Sequence, residues 1–347
     1  MKRLAALCAF ALIGCTPPPD TAALAPPDPA ATPEELFVVT QQRIPIFEMS
    51  FEEDRRVAPR HARLTVSIPP THTLGSIEWH DSPVPDTARH FAVTDIERFP
   101  DADEMTQAIA AQDGDTIFLF VHGYNMTTSE AVYRFAQTAH DFELPQARVA
   151  FSWASAGLPP AYIYDRDSVL FARDAFVSLL IDLAEDTGRD INLMAHSMGS
   201  VLVMESLRQL RLMGRDDVID RIDIVTLMSP DIDPDVFRAQ ARVIGELPQP
   251  FVILSSQTDR ALRLSSVLAG GRERVGAISS AEDVAGLGII YIDFTSLADG
   301  RNMDHMVPVT SPDAIRLLRQ MANPETVNQT DFGAFLVADA DGISFAR

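Results

Sequence analysis

Chemistry in this chain can be built around Ser197. It stands in Ala195-His-Ser-Met-Gly199, directly after the apolar run Ile191–Ala195 and before the helix-compatible Val201-Leu-Val-Met204. Strand, sharp turn, serine at the tip and helix is the layout of a nucleophile elbow. Small residues two positions either side of the serine suit a turn that holds a non-glycine residue in a strained conformation and brings backbones close. The motif reads A-x-S-x-G, with alanine as the smallest substitute for the usual first glycine.

A serine nucleophile needs a base, and the base needs an acid to orient it. The chain has eight histidines, and His61, His72, His80, His90, His122 and His140 all precede the elbow. His196 lies inside it and cannot turn back onto its neighbour's hydroxyl. In the chain order Ser, acid, His, only His305 remains, in the loop Arg301-Asn-Met-Asp-His305. Two aspartates follow strand-like runs at the right stage: Asp259 in Ser255-Ser-Gln-Thr-Asp259 and Asp231 in Met228-Ser-Pro-Asp231. Asp259 ranks first because it lies two strands after the elbow strand. Asp231 stays open as a substitute acid, a helix cap or a lining residue. Asp304, beside His305, is expected to face solvent. The oxyanion needs preorganised donors. The N–H of Met198 is one candidate, and that of Tyr124, in Val121-His-Gly-Tyr-Asn125, is the second. His122 is expected to hold that loop in place.

These residues need a frame. Thr116–Val121 is a continuous apolar run, as expected for a parallel strand covered on both faces. Thr127 and Glu130 have capping-box spacing at the head of a helix to Asp141, with Val132, Phe135, Ala136 and Ala139 as its buried stripe. Arg148–Trp153, Ile191–Ala195, Ile222–Met228, Phe251–Leu254 and Ile289–Phe294 read as further strands. Helices lie between them, over about 165–186, from Ser197 to about Met213, after Asp233-Pro234, and from Ser311-Pro312 to near Met321. Upstream, Ala62–Ile68 and His90–Ile96 are strand candidates, and Asp103–Gln112 a short helix. The alternation predicts a doubly wound, mostly parallel sheet with helices on both faces, its site beyond the carboxyl ends of the strands. One domain over 34–322 is expected, with 323–347 as a loosely attached tail. The loop Ala154–Tyr164 could cover the site or simply pack on the helix that follows.

Composition narrows the function classes. The apolar content of 46% is that of a globular chain, and the net charge of −21 is spread along the sequence, which argues against nucleic acid as a partner. The scattered histidines give no metal-ligand spacing, and no Gly-rich phosphate loop appears, so neither metal nor cofactor is expected. At the N-terminus, Met1-Lys-Arg3 is basic, Leu4–Ile13 is apolar but too short to span a bilayer, and Leu12-Ile-Gly-Cys15 follows. This resembles a bacterial lipoprotein signal (1–14), cleaved before a Cys15 that becomes lipidated. Thr16, in place of an aspartate, implies by that resemblance the outer membrane, facing the periplasm. Residues 15–33, rich in Pro and Ala, read as an extended tether reaching up to roughly 50 Å at ~3.1 Å per residue.

Taken together, H-G-Y-N (from His122), A-H-S-M-G at the elbow, S-x-x-D-R-A-L (Ser256–Leu262), the late loop histidine, V-S-I-P-P (Val66–Pro70) and F-S-W (Phe151–Trp153) resemble a bacterial α/β-hydrolase group of uncharacterised esterase/lipase-like proteins. The likeness spans about Arg60–Met321. It implies Ser197, Asp259 and His305 as the triad and assigns no substrate. The expected function is a serine hydrolase of small-molecule or lipid carboxylic esters, tethered to the membrane through Cys15. Amide hydrolysis or acyl transfer on the same triad is the alternative within enzymes. A non-catalytic envelope-binding lipoprotein on a hydrolase scaffold is the alternative outside them.

Overall fold

The computed structural model describes residues 24–42, 55–145, 147–278, 284–321, 335–339 and 342–345. The signal-like segment, Cys15 and the start of the Pro/Ala-rich stretch lie outside the described residues. Strands β1 (Thr32–Thr40), β2 (Arg60–Ile68) and β3 (Ala92–Phe99) come first, followed by helix α1 (Ala102–Ala110). An alternating series then runs β4 (Thr116–Val121), α2 (Thr128–Asp141), β5 (Arg148–Ser152), α3 (Tyr162–Thr187), β6 (Asp190–His196), α4 (Gly199–Leu212) and the short α5 (Asp216–Ile219). It continues through β7 (Ile222–Met228), α6 (Pro234–Ile244), β8 (Phe251–Ser255), α7 (Arg260–Leu268), β9 (Ile289–Asp293), α8 (Val307–Thr310) and α9 (Pro312–Met321). Strands β10 (Phe335–Asp339) and β11 (Gly342–Phe345) follow.

Among the described residues these strands form one sheet, ordered β11-β10-β9-β8-β7-β6-β4-β5-β1-β2-β3. Pairing is parallel from β10 through to β1 and antiparallel only at the flanks, β1–β2–β3 and β10–β11. The continuous apolar runs have the burial that parallel strands covered by helices require. Along β4, Ile117, Leu119 and Val121 join a core with β6, α3 and α4 side chains, while Phe120 turns the other way. There it stacks on Phe135 of α2 at 5.2 Å. The expected capping box is present: the Thr127 hydroxyl accepts from the Glu130 N–H at 3.2 Å, and the Glu130 carboxylate accepts from the Thr127 N–H at 2.7 Å.

Two expectations change. The tail expected to be loosely attached contributes, in its described residues, two strands to the sheet: β10 adds in parallel to β9 and β11 returns beside it. Strands satisfy their backbone groups through the neighbouring ladders, so pairing carries a segment whose side-chain pattern is weak. The tether is also shorter than the Pro/Ala composition implied: Ala25 is buried, its N–H donates to the Val93 carbonyl at 3.0 Å, and Thr87 donates to the Pro26 carbonyl at 2.9 Å.

A polar layer beneath α2 was not anticipated. His72 lies between Glu78 and Asp141, each ring nitrogen 2.9 Å from a carboxylate oxygen, and its side chain is 8% exposed. Burial works against its charge, but the hydrogen bonds to Asp141 and Glu78 outweigh it and raise the pKa to about 9. An imidazolium whose pKa is raised by folding stabilises fully below the unfolded value near 6.5, and that contribution is lost as pH rises through about 9. Urea unfolding from pH 6 to 10 should therefore show wild type losing up to about 3 kcal/mol relative to His72→Gln. Parallel curves for the two proteins would remove His72 from the account.

Candidate active site

At the end of β6, Ser197 has φ 51°, in the left-handed region, and α4 begins two residues later. Its N–H donates to the Met228 carbonyl of β7 at 2.9 Å, and its carbonyl accepts from the N–H groups of Ser200 at 3.1 Å and Asp231 at 3.2 Å. These bonds hold a backbone conformation that costs a non-glycine residue of order 1–3 kcal/mol. The small neighbours are required by contact. A Cβ on Gly199 would meet the His122 carbonyl oxygen at 2.4 Å, and one on Gly123 would meet Ser197 Cβ at 2.8 Å and His196 Nδ1 at 2.6 Å. The loop after β4 thus lies against the elbow at backbone range.

The structure brings Asp259 and His305 together. Asp259 follows the turn after β8 and caps α7, its Oδ1 accepting from the Leu262 N–H at 2.9 Å. Its Oδ2 faces His305 Nδ1 at 2.6 Å, and the carboxylate is fully buried. With Nδ1 turned to Asp259, Nε2 is the ring nitrogen on the opposite side of the imidazole. His305 leaves a turn in which Asn302, Met303 and Asp304 have φ of 47°, 57° and 58°. Asp304 does not face solvent as expected: it is buried, and its carboxylate closes this turn by accepting from the Gly300 N–H at 2.7 Å.

Asp231 is held elsewhere. It forms an ion pair with Arg274 (Nε–Oδ1 3.0 Å), with both side chains 3% exposed. Ser265 Oγ donates to the same oxygen at 2.8 Å and Tyr162 OH to the other at 2.9 Å. Of the two acids left open by the sequence, it is Asp259 that contacts His305. Arg274 was missed, and Tyr162, read from sequence as part of a loop that could cover the site, was not expected to donate to Asp231. Nothing local in a polar Gly-Arg-Glu-Arg turn separates a buried cation from a solvated one.

Supporting residues surround the loop after β4. His122 is fully buried, its ring nitrogens face the carbonyls of Trp153 (3.1 Å) and Gly123 (2.9 Å), and its ring stacks on Trp153 at 4.8 Å. Burial lowers its pKa to about 4, so it is neutral and structural, as expected. Asp165, read from sequence only as a helix start, accepts from the Asn125 N–H (3.0 Å), the Ser155 hydroxyl (2.7 Å) and the Ala156 N–H (2.7 Å). It ties the loop after β4 to the loop after β5. Tyr124 donates its hydroxyl to the Pro159 carbonyl and packs edge-on against Tyr162 at 5.3 Å. Of the segment read as a loop over 154–164, the last three residues belong to α3; Tyr162 packs inward, while Leu158 and Ile163 are exposed. A cavity of about 30 Å³ lies against Met198, with Tyr162, Val169, Val201 and Asp231 in its wall. A groove of about 600 Å³ beside β1, α1 and α3 contains none of these residues.

His196 also gains a function in the arrangement. Burial, and the proximity of His305, push its pKa well down, so it is neutral. Its Nε2–H donates to the His305 carbonyl at 3.4 Å, and the two rings pack at 4.6 Å. It is no base, but it lies under the one proposed by chain order.

The family profile described as "Alpha/beta hydrolase of unknown function (DUF900)" matches residues 98–321. No curated protein matches the chain. Among solved structures, the chain is similar to Aspergillus fumigatus lipase B, at 12% identity over 64% of this chain and 57% of that one, with a TM-score of 0.41. It is similar to a Pyrobaculum calidifontis esterase at 12% identity over 84% of each chain, TM-score 0.38. A thermophilic carboxylesterase cloned from a metagenomic library shares 11% identity over 77% of this chain and 86% of that one, TM-score 0.35.

Proposed function

We propose, from the premise that this chain belongs to the DUF900 family of α/β-hydrolases, that it is a serine hydrolase of carboxylic esters. Ser197 is the nucleophile, His305 the base and Asp259 the orienting acid. The observation that carries this reading is the 2.6 Å contact of His305 Nδ1 with a fully buried Asp259 carboxylate, with the His305 ring packed at 4.6 Å on His196, the residue before a serine on a strained elbow.

In this mechanism His305 Nε2 takes the Ser197 hydroxyl proton as Oγ attacks the ester carbonyl. The tetrahedral oxyanion forms against the N–H groups of Met198 and Tyr124. His305 then gives its proton to the departing alcohol oxygen. Water, deprotonated by the same histidine, releases the acid from the acyl-enzyme. Asp259 keeps the proton on Nδ1 throughout and stabilises the imidazolium. We further read Cys15 as the lipidated anchor that tethers the domain to the bacterial envelope, at the outer membrane facing the periplasm. The motif Leu12-Ile-Gly-Cys15 supports that reading.

A fluorophosphonate probe tests the nucleophile. Wild type should be labelled, and Ser197→Ala should lose labelling entirely while keeping its melting temperature. Folded wild type that resists the probe would sink the hydrolase reading and favour a binding lipoprotein. Parallel ester, amide and acyl-acceptor assays on the labelled enzyme separate hydrolysis of esters from the other acyl chemistries of this triad.

A further inference from the structure

Helix α7 carries three of its apolar residues on the outside. Leu262 and Ser265 face the protein, whereas Leu264, Val267 and Leu268 are 58%, 72% and 58% exposed. Their i, i+3, i+4 spacing places them on one outward face, where an ordinary surface helix shows polar residues. Arg260 and Arg263 flank that face. Their guanidiniums donate to the carbonyls of Gly300 (2.7 Å) and Gln257 (2.9 Å), and neither is paired with a carboxylate among the described residues. Two unneutralised arginines stand out on a chain of net charge −21. The turn at Arg301–Asp304 packs against α7 and leaves Met303 48% exposed, in left-handed backbone two residues before His305.

Aliphatic side chains on one helix face with flanking arginines are the chemistry of a helix lying in a membrane interface. From it we propose that α7, together with Met303, docks this domain onto an anionic lipid surface. The local charge at the contact favours a lipid occupant: anionic headgroups complement Arg260 and Arg263 there, and this pairing must outweigh the repulsion between such a surface and a chain of net charge −21. Asp259 caps α7 and His305 follows the Met303 turn, so a docked α7 holds the mouth of the site at the lipid boundary. The docking surface does not depend on the ester reading.

The test uses the full chain carrying Cys15→Ser, so that no acyl chain contributes, with vesicles of equal phosphatidylglycerol and phosphatidylcholine. The chain should float with these vesicles. The Leu264→Ser, Val267→Ser, Leu268→Ser triple variant should lower affinity roughly tenfold or more. Arg260→Gln and Arg263→Gln should each cost about fivefold on these vesicles and little on pure phosphatidylcholine. A Val267→Trp reporter should be quenched by brominated lipid, which reads the α7 face itself whatever the N-terminus does. An unquenched reporter, or a triple variant that binds as wild type, overturns the proposal. So does a stable dimer that the triple variant dissociates, which would assign the face to a second copy. Fluorophosphonate labelling of Ser197 in the triple variant checks its fold. Its absence from wild type as well would fail the hydrolase reading while leaving the vesicle result intact.

Discussion

Asp259→Asn should lower kcat about 10⁴-fold on a soluble ester while leaving the fold in place. The asymmetry comes from the two oxygens of this carboxylate. Oδ1 accepts from the Leu262 N–H at the head of α7, and the amide oxygen of asparagine can accept the same bond. The other position then presents an NH₂ to His305 Nδ1 where a carboxylate oxygen stood at 2.6 Å. Two donors cannot face each other, so Nδ1 must become an acceptor and the proton moves to Nε2. In that tautomer Nε2 cannot take the Ser197 proton. The variant should therefore unfold within about 1 kcal/mol of wild type, and its loss should appear in kcat far more than in KM. Asp231→Asn is the contrasting variant, because Asp231 contacts Arg274, Ser265 and Tyr162 instead of the histidine, so its loss should appear in stability far more than in kcat. Near-full activity in Asp259→Asn combined with a dead Asp231→Asn would reverse the assignment of the acid.

What could be read before the structure was what depends on local spacing. The β4 run, the Thr127–Glu130 box and the Asp233 cap with Pro234 behind it each occupy a few adjacent residues, and each is found where expected. The candidate site was legible for a related reason. Chain order left one histidine after the elbow, and strand ends bring order and position together at one edge of a parallel sheet. Side-chain pairs between distant segments were not legible. Arg274 with Asp231, His72 with Asp141, and His196 under His305 join segments whose own patterns resemble ordinary turns, loops or strand ends. Neither were β10 and β11, whose place comes from a neighbouring ladder more than from their own alternation. The outward apolar face of α7 inverts the inference from pattern to core: the period marks a helix correctly, and only the fold shows which side of it is covered.

The missed pair carries the second large effect. Arg274→Met should destabilise the protein by about 3–5 kcal/mol, because it leaves Asp231 as a buried carboxylate with no counter-ion. Both side chains are 3% exposed, so water cannot take over the role of the guanidinium. Tyr162 and Ser265 would still donate to the carboxylate, but neutral hydrogen bonds do not offset the burial of its charge. The tyrosine already registers that environment: burial, then the charge of Asp231, raises its pKa to about 12. At about 2–4 °C per kcal/mol for a domain approaching this size, the melting temperature should fall by roughly 10 °C. Adding Asp231→Asn to Arg274→Met removes the stranded charge and should restore about half of the loss, a coupling that a double-mutant cycle reads directly. The segment this pair anchors runs beside the elbow. Val275 N–H donates to the Ile232 carbonyl and Gly276 N–H to the Pro230 carbonyl, each at 2.9 Å, while the Asp231 N–H holds the carbonyl of Ser197. At its other side, the Gly276 carbonyl accepts from the Ser256 N–H in the turn that leads to Asp259. If Arg274→Met melts with wild type, the pair contributes no net stability and the elbow is held by its backbone bonds alone. A loss repaired by the double variant would instead mark the pair as the brace between the turn that carries Ser197 and the turn that carries Asp259.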